Sequence, residues 1–377
     1  MEASLVKTTW TGGPNSNWAH PSPDPSGITY NSRTGRLIIS DGEVDERGSA
    51  YPKNVWRGTN VFVASLQGEL LETDANTLAY SDEPVGVGYR PATTSESPER
   101  LFFSDDDADK VFEVDRGPDG RYGTGDDTFT SFSTRFTGSF RDDAEDVAIV
   151  LANPGELLII DGLAQEVYVY GWGANKKFDA LPAAGGDDTV RQFDVAVHGA
   201  TDPEGIAYNP FRNSIFVLDD PSNRIYELDM QGRLLNVVVL SFRLGSGAGI
   251  ALAPPSNGAG GPDNAYIVDR GVDNDTNQDT FNDGRLYEIT LPGLTGTTGG
   301  TTPPPPPPPS APRYSHTFNA DQAPDVIAAR TDGALVLYPG NGTGGFLGSY
   351  PQIGSGWQSR DMIRHAQDFD RDGKRDL

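Results

Sequence analysis

The sequence predicts an all-β fold, a β-propeller of four-stranded antiparallel blades, and three observations carry that expectation. A phrase of a small or acidic residue, Gly and an apolar residue recurs at Ser26-Gly27-Ile28, Val85-Gly86-Val87, Glu145-Asp146-Val147, Glu204-Gly205-Ile206 and Ala248-Gly249-Ile250, in steps of 59, 60, 59 and 44 residues. After each phrase comes an apolar run ending in aspartate, then further runs bounded by Gly, Asp, Asn and Pro. Short, β-branched and aromatic runs between turn formers read as strands, not helices. Finally, the last unit lacks a fourth run, while the N-terminus carries one to spare. Four antiparallel strands per unit, repeated radially, make a propeller, and pairing of the two chain ends closes its ring.

Taken in order, SLVKTTWT at the N-terminus is the strand expected to complete the last blade. In blade one, RLIISD to Asp41, NVFVASL and GELLET follow the strand that holds Gly27. Blade two continues with RLFFSD to Asp105, KVFEVD and TFTSFST; blade three with GELLIID to Asp161, EVYVYG and RQFDVAV. Blade four has SIFVLD to Asp219, RIYELD and LLNVVVL, and blade five has NAYIVD to Asp269 and RLYEITL. Five blades are counted, and a sixth, irregular blade within the long loops is the alternative. The propeller is expected to occupy residues 1–292. Residues 293–313, GLTGTTGGTTPPPPPPPSAPR, form a linker. Its prolines 303–309 should make an extended polyproline II spacer of about 22 Å, at about 3.1 Å per residue. A second module fills residues 314–377.

Acidic residues number 54 against 29 basic ones, a net charge of −25. That field repels nucleic acid and anionic membrane, and neither is expected as a partner. It favours cations, and calcium in particular, because hard cations take carboxylate and carbonyl oxygens. No cysteine is present, which removes a disulfide framework and a thiolate zinc site. His20, His198, His316 and His365 are scattered. No apolar run approaches the roughly 18 residues of a membrane span, and residues 1–4 show no signal peptide. The load of Gly, Pro, Thr and Asp points to a secreted, extracellular protein, expected as a monomer.

In an antiparallel blade, the loop leading into the first strand and the loop leaving the second lie on one face. The leading loops carry Asp24, Glu83, Asp143 with Glu145, and Asp202 with Glu204. The second strands end in Asp41, Asp105, Asp161, Asp219 and Asp269. These acids should crowd one mouth of the central channel. Like charges so close raise one another's pKa unless a cation neutralises them. Two readings stay open for all these acids: a calcium site, with Asp143, Glu145, Asp202 and Glu204 as candidate ligands, or strand caps, the strand-ending aspartates included, that bond backbone N–H groups. Two long insertions rise from this face, DGEVDERGSAYPKNVWRGT in blade one and RGVDNDTNQDTFNDG in blade five. The second offers Asp273, Asp275, Asn277, Asp279 and Asp283 as a calcium-ordered loop. The loop DRGPDGRYGTGDDT of blade two should lie on the opposite face as a structural turn. Of the tryptophans, Trp56, on a mouth-side loop, is the candidate for stacking on a carbohydrate.

The C-terminal DFDRDGKRDL places Asp368, Asp370, Asp372 and Asp376 at loop positions 1, 3, 5 and 9, with Gly373 at position 6. Alternate side chains of such a loop converge on one calcium, and the glycine allows the sharp turn. An earlier loop has Thr317, Asn319, Asp321 and Asp325 in corresponding places. With DVIAARTDGALVLYPGNGTGGF, this segment resembles the FG-GAP/VCBS repeats of integrin-like propellers. That resemblance implies calcium-binding DxDxDGxxD loops, and a longer module of which this segment is a part. In residues 26–292, DPEGIAYNPFRNSIFVLDDPSNRIYELD resembles the NHL and gluconolactonase-like propellers and the secreted propellers of esterase-like phytase type. The resemblance implies one catalytic calcium in the channel held by Glu, Asn and Asp ligands, with Glu204 at the position of such a glutamate and Glu145 aligned one blade earlier. Convincing asparagine ligands are missing. There is no GxSxG nucleophile elbow. The expected function is an extracellular calcium-binding module for a carbohydrate or small ester ligand. The alternative is a calcium-dependent lactonase or phosphoesterase with Glu145 and Glu204 as candidate catalytic residues.

Overall fold

The computed structural model describes residues 1–42, 58–92, 98–136, 143–153, 155–258, 263–271, 283–292, 326–329, 334–338 and 352–354. Blade one is β2 (Pro25–Asn31), β3 (Arg36–Asp41), β4 (Val61–Ala64) and β5 (Leu70–Ala75). Blade two is β6 (Pro84–Arg90), β7 (Arg100–Asp105), β8 (Lys110–Asp115) and β9 (Thr128–Ser133). Blade three is β10 (Ala144–Ile149), β11 (Glu156–Asp161), β12 (Glu166–Gly171) and β13 (Thr189–Asp194). Blade four is β14 (Pro203–Asn209), β15 (Ser214–Asp219), β16 (Arg224–Asp229) and β17 (Leu234–Leu240). Blade five has β18 (Gly247–Ala253), β19 (Asn264–Asp269) and β20 (Arg285–Thr290).

The fourth strand of blade five is β1 (Glu2–Trp10), as the count of strands in the sequence requires. It runs antiparallel to β20, from Ser4 opposite Thr290 to Trp10 opposite Arg285. Its first residues reach the neighbouring blade, where Glu2 and Ala3 pair in parallel with Val239 and Leu240 of β17. The innermost strands contact one another in the cycle β2, β6, β10, β14, β18 and back to β2. Five blades therefore close the ring, and the sixth is not needed.

The second strands read as continuous apolar runs because both of their faces are covered. Leu37, Ile38, Ile39 and Ser40 of β3 are all buried, as are all six residues of β15. Five apolar clusters fill the five gaps between blades. Phe216, Leu218 and Ile225 of blade four meet Ile267, Tyr287 and Ile289 of blade five, for example. Across the gap between blades two and three, Phe132 stacks on Tyr170 with ring centroids 4.2 Å apart.

Every first strand carries an irregularity at the same place. The ladder register shifts between Pro25 and Gly27, Pro84 and Gly86, Ala144 and Asp146, Pro203 and Gly205, and Gly247 and Ile250. One extra residue on one strand is a β-bulge, which bends the strand and re-aims its side chains. The residues just after the bulge crowd the propeller axis. A Cβ on Gly27 would come within 2.6 Å of the Val87 nitrogen, one on Gly86 within 2.5 Å of the Asp146 Cα, and one on Gly205 within 2.4 Å of the Ala248 carbonyl. These positions need glycine for close approach of backbones.

Blade three alone has a side chain there, and it fills the axis. Asp146 is 1% exposed. Its Oδ1 accepts a hydrogen bond from the Val147 N–H at 2.8 Å, and its Oδ2 one from the Ile206 N–H at 3.0 Å. The N–H groups of Val87 and Ile250 also bond it. Four blades thus direct backbone donors at one buried carboxylate.

The C-terminal residues 301–377 form a separate compact unit. Its described part is a small antiparallel sheet of β21 (Val326–Ala329), β22 (Leu335–Tyr338) and β23 (Gln352–Gly354). Residues 293–313, expected as a linker, and the acids Asp368, Asp370, Asp372 and Asp376 lie outside the described residues. No helix among the described residues is long and apolar enough to cross a membrane.

Replacing Asp146 by Ala leaves inward-facing N–H groups without their acceptor, at about 1–3 kcal/mol each. Urea unfolding of Asp146→Ala should show a loss of about 3 kcal/mol or more, with a smaller loss for Asp146→Asn, which keeps an acceptor oxygen.

Candidate cation site at the channel mouth

The strand registers place three residues of each blade at the mouth. The first position precedes the first strand and holds Asp24, Glu83, Asp143, Asp202 and Ser246. The second is the bulge itself, with Ser26, Val85, Glu145, Glu204 and Ala248. The third follows the second strand, with Gly42, Asp106, Gly162, Asp220 and Arg270. Main-chain bonds tie the first position to the third: Gly42 N–H donates to the Asp24 carbonyl at 3.3 Å, Gly162 to Asp143 at 3.1 Å, and Arg270 to Ser246 at 2.8 Å.

The aspartates that end the second strands do structural work. Asp41 accepts from Ser22 Oγ at 2.7 Å and from the Asp24 N–H at 3.1 Å. Asp219 Oδ1 accepts from the N–H groups of Thr201 and Asp202 at 2.7 and 2.8 Å. Asp269 accepts from Gly245 and Ser246 at 2.8 and 3.0 Å, and Asp105 from Ser81 Oγ at 2.6 Å. Asp161 accepts from the Ala164 N–H at 2.7 Å. For these five the strand-cap reading describes their bonds. In blades one, two, four and five they pin the leading loop and so position the acids of the first tier.

The remaining acids face one another. Oxygens of Asp106, Asp143 and Glu145 all lie within 4.8 Å of one another. Glycine makes the room: a Cβ on Gly162 would stand 3.2 Å from Glu145 Oε1 and 3.3 Å from Asp143 Oδ2. Arg270 enters from blade five. Its Nη2 lies 3.7 Å from Glu145 Oε2 and 3.9 Å from Glu204 Oε2, and its Nε lies 3.9 Å from Asp24 Oδ1. Glu204 Oε2 is buried and accepts no hydrogen bond.

Burial dominates the electrostatics. It pushes Glu204 up to about 7, assisted by Asp202, Asp220 and Asp143 and opposed by Arg270. Burial and then the neighbouring charge of Asp143 raise Asp106 to about 6. Glu145 is held well above the usual carboxylate range by burial and by Glu204. Asp202 is raised by burial and by Asp143. For Arg270, burial favours the neutral form, but Asp24, Glu204, Glu145 and Asp106 outweigh it and raise its pKa.

Of the acids singled out in the sequence, Asp143 and Glu145 therefore meet in one three-carboxylate group, and Glu204 joins Glu145 through Arg270. Asp202 lies outside the three-carboxylate group. Asp106 and Arg270 were not singled out. Each directly follows a strand-ending aspartate, and the equivalence of that position in all five blades is the signal that finds them. Asp283 is buried and paired with Arg285. Asp273, Asp275, Asn277, Asp279 and Trp56 lie outside the described residues. Trp18 is a packing residue: it sits 5.7 Å from the Phe62 ring, and its Nε1–H donates to the Gly68 carbonyl at 3.0 Å. The acidic loop 115–128 satisfies itself, with Gly123 N–H donating to Asp127 at 2.7 Å and Asp119 N–H to Asp126 at 3.0 Å.

Residues 318–377 match the FG-GAP-like repeat family. No curated protein matches the chain. Among solved structures, the luciferin-regenerating enzyme aligns at 13% identity and a TM-score of 0.40, covering 74% of this chain and 94% of its own. Glutaminyl cyclase of Myxococcus xanthus aligns at 11% and 0.40, covering 76% and 95%. The PQQ-bound aldose sugar dehydrogenase of Streptomyces coelicolor aligns at 12% and 0.41, covering 77% and 98%. Likenesses of this size carry no functional argument, and the chemistry is argued from the mouth itself.

Raised carboxylate pKa values give the folded chain more bound protons than the unfolded chain between pH 4.5 and 7. Stability of the protein in chelator should therefore fall as pH rises through that window. Thermal melts from pH 4.5 to 8 in chelator check this, and Glu204→Gln should flatten the upper part of the decline.

Proposed function

We propose that the propeller is a secreted, calcium-binding recognition module whose cation site lies at the channel mouth. The observation that supports it is the convergence of Asp106, Asp143 and Glu145, from two adjacent blades, with oxygens within 4.8 Å of one another. A hard cation is what such a group recognises: calcium takes carboxylate oxygens at about 2.3–2.6 Å in flexible geometry. Burial raises the pKa of Asp106 and Glu145 and so disfavours their bare charged forms; a cation reverses that penalty. A bound ion would leave coordination positions facing outward for an oxygen-rich ligand, a carbohydrate or a small ester. The load of Gly, Pro, Thr and Asp and the FG-GAP-like repeat after a proline-rich stretch fit an extracellular, multi-module protein.

Glu204 favours a second reading, a calcium-dependent lactonase or phosphoesterase. Its pKa of about 7 suits a general base at neutral pH, and it shares Arg270 with the candidate ligand Glu145. The cation would polarise a carbonyl or phosphoryl oxygen while Glu204 takes a proton from the attacking water.

Calorimetric titration of the chelator-treated chain with calcium should show a site that Asp143→Asn and Glu145→Gln each weaken by about tenfold or more, while Asp219→Asn leaves it in place once folding is confirmed. Retention of full affinity in both mouth variants would remove the mouth as the site. A panel of lactones and phosphate esters, with and without calcium, separates the two readings. Turnover that needs calcium and is lost in Glu204→Gln identifies a hydrolase, and no turnover leaves the recognition module.

A further inference from the structure

The mouth already holds a cation of its own. Arg270 reaches Asp24 of blade one, Glu145 of blade three and Glu204 of blade four, all at 3.7–3.9 Å. These contacts are longer than those of three arginine pairs elsewhere in the propeller. Arg33 meets Glu99, Arg90 meets Glu113, and Arg212 meets Glu227, each at 2.7 Å in hydrogen-bonded pairs. Charge-assisted hydrogen bonds run to about 2.7–2.9 Å. Arg270 Nε, in contrast, is buried without a hydrogen-bond partner. Among the described residues, the guanidinium is shared by three acids at 3.7–3.9 Å rather than gripped by a fork fitted to one of them. A group held this way can be displaced without breaking a tight bidentate pair.

Glu145 belongs to both arrangements. Its carboxylate is within 3.7 Å of Arg270 and also within the group it forms with Asp106 and Asp143. A dication on that group would face the guanidinium across one side chain, and like charges at such a distance repel. We propose that Arg270 is the resident counter-cation of the mouth and competes with the divalent ion for Glu145, thereby setting how readily the mouth takes up metal. The equivalent position in the other blades is Gly42, Asp106, Gly162 or Asp220, so blade five alone supplies this charge. The competition rests on the cation-site reading; the counter-cation role rests on the metal-free contacts.

The test uses the full chain as wild type, Arg270→Gln and Arg270→Lys. Thermal unfolding in chelator at pH 7.5 reads the counter-cation role, and calorimetric calcium titration reads the competition. Arg270→Gln should melt lower than wild type in chelator and bind calcium about tenfold or more tighter. Arg270→Lys should stay near wild type in both. Calcium uptake by Arg270→Gln alone would also support the proposal. Unchanged or weaker calcium affinity in Arg270→Gln, with the wild-type site present and abolished by Asp143→Asn, overturns the competition and leaves the cation site standing. No calcium binding by either protein overturns both. An unchanged melting point in chelator overturns the counter-cation role. If Arg270→Gln fails to fold in chelator, recovery on adding calcium supports the proposal, and failure in calcium too overturns it.

Discussion

The carboxylate of Asp146 sits where four blades direct their backbone N–H groups, and the propeller's closure depends on that arrangement. Each blade bulges one residue before the axis. The bulge turns donors inward, and buried donors without an acceptor are costly. The glycines at the axis let the backbones of adjacent blades approach closely. A side chain from one blade is the solution with the fewest atoms. Five aspartates would clash and repel, and five glycines would leave the donors unpaired.

The same bulge builds the mouth. Glu145 and Glu204 are the bulged residues of blades three and four, placed outside the strand ladder by the irregularity that turns their neighbours to the axis. The buried axis carboxylate and the mouth glutamates are set by one backbone feature. They are linked in sequence as well, since Glu145 and Asp146 are consecutive. Bulges beside functional sites act in this way, by re-aiming side chains that regular pleating would bury or expose.

Around that frame the five blades are not equivalent, and the differences set the charge. Ser26, Val85 and Ala248 stand where blades three and four have glutamate. Gly42 and Gly162 leave space where Asp106, Asp220 and Arg270 fill it. The strand-ending aspartates are alike in all blades, because they share the job of capping. What varies is the chemistry at the mouth. Burial then raises the pKa values of the acids, and Arg270 places a positive charge among them.

The strand pattern, the five units and the N-terminal strand that completes the fifth were legible in the sequence, because paired strands have a local signature of β-branched runs and turn residues. The glutamates of blades three and four were legible for the same reason: a repeat unit aligns with itself. The separation of the capping aspartates from those that join the three-carboxylate group was not, since Asp105 and Asp106 are neighbours and only Asp106 belongs to that group. Only the direction of each side chain at the end of β7 divides them. Nor could the sequence assign Asp146 to the axis or Arg270 to the acids of blades one, three and four. Those contacts join residues about 60 to 250 positions apart, and they exist only once the ring closes and brings five equivalent loop ends to one point.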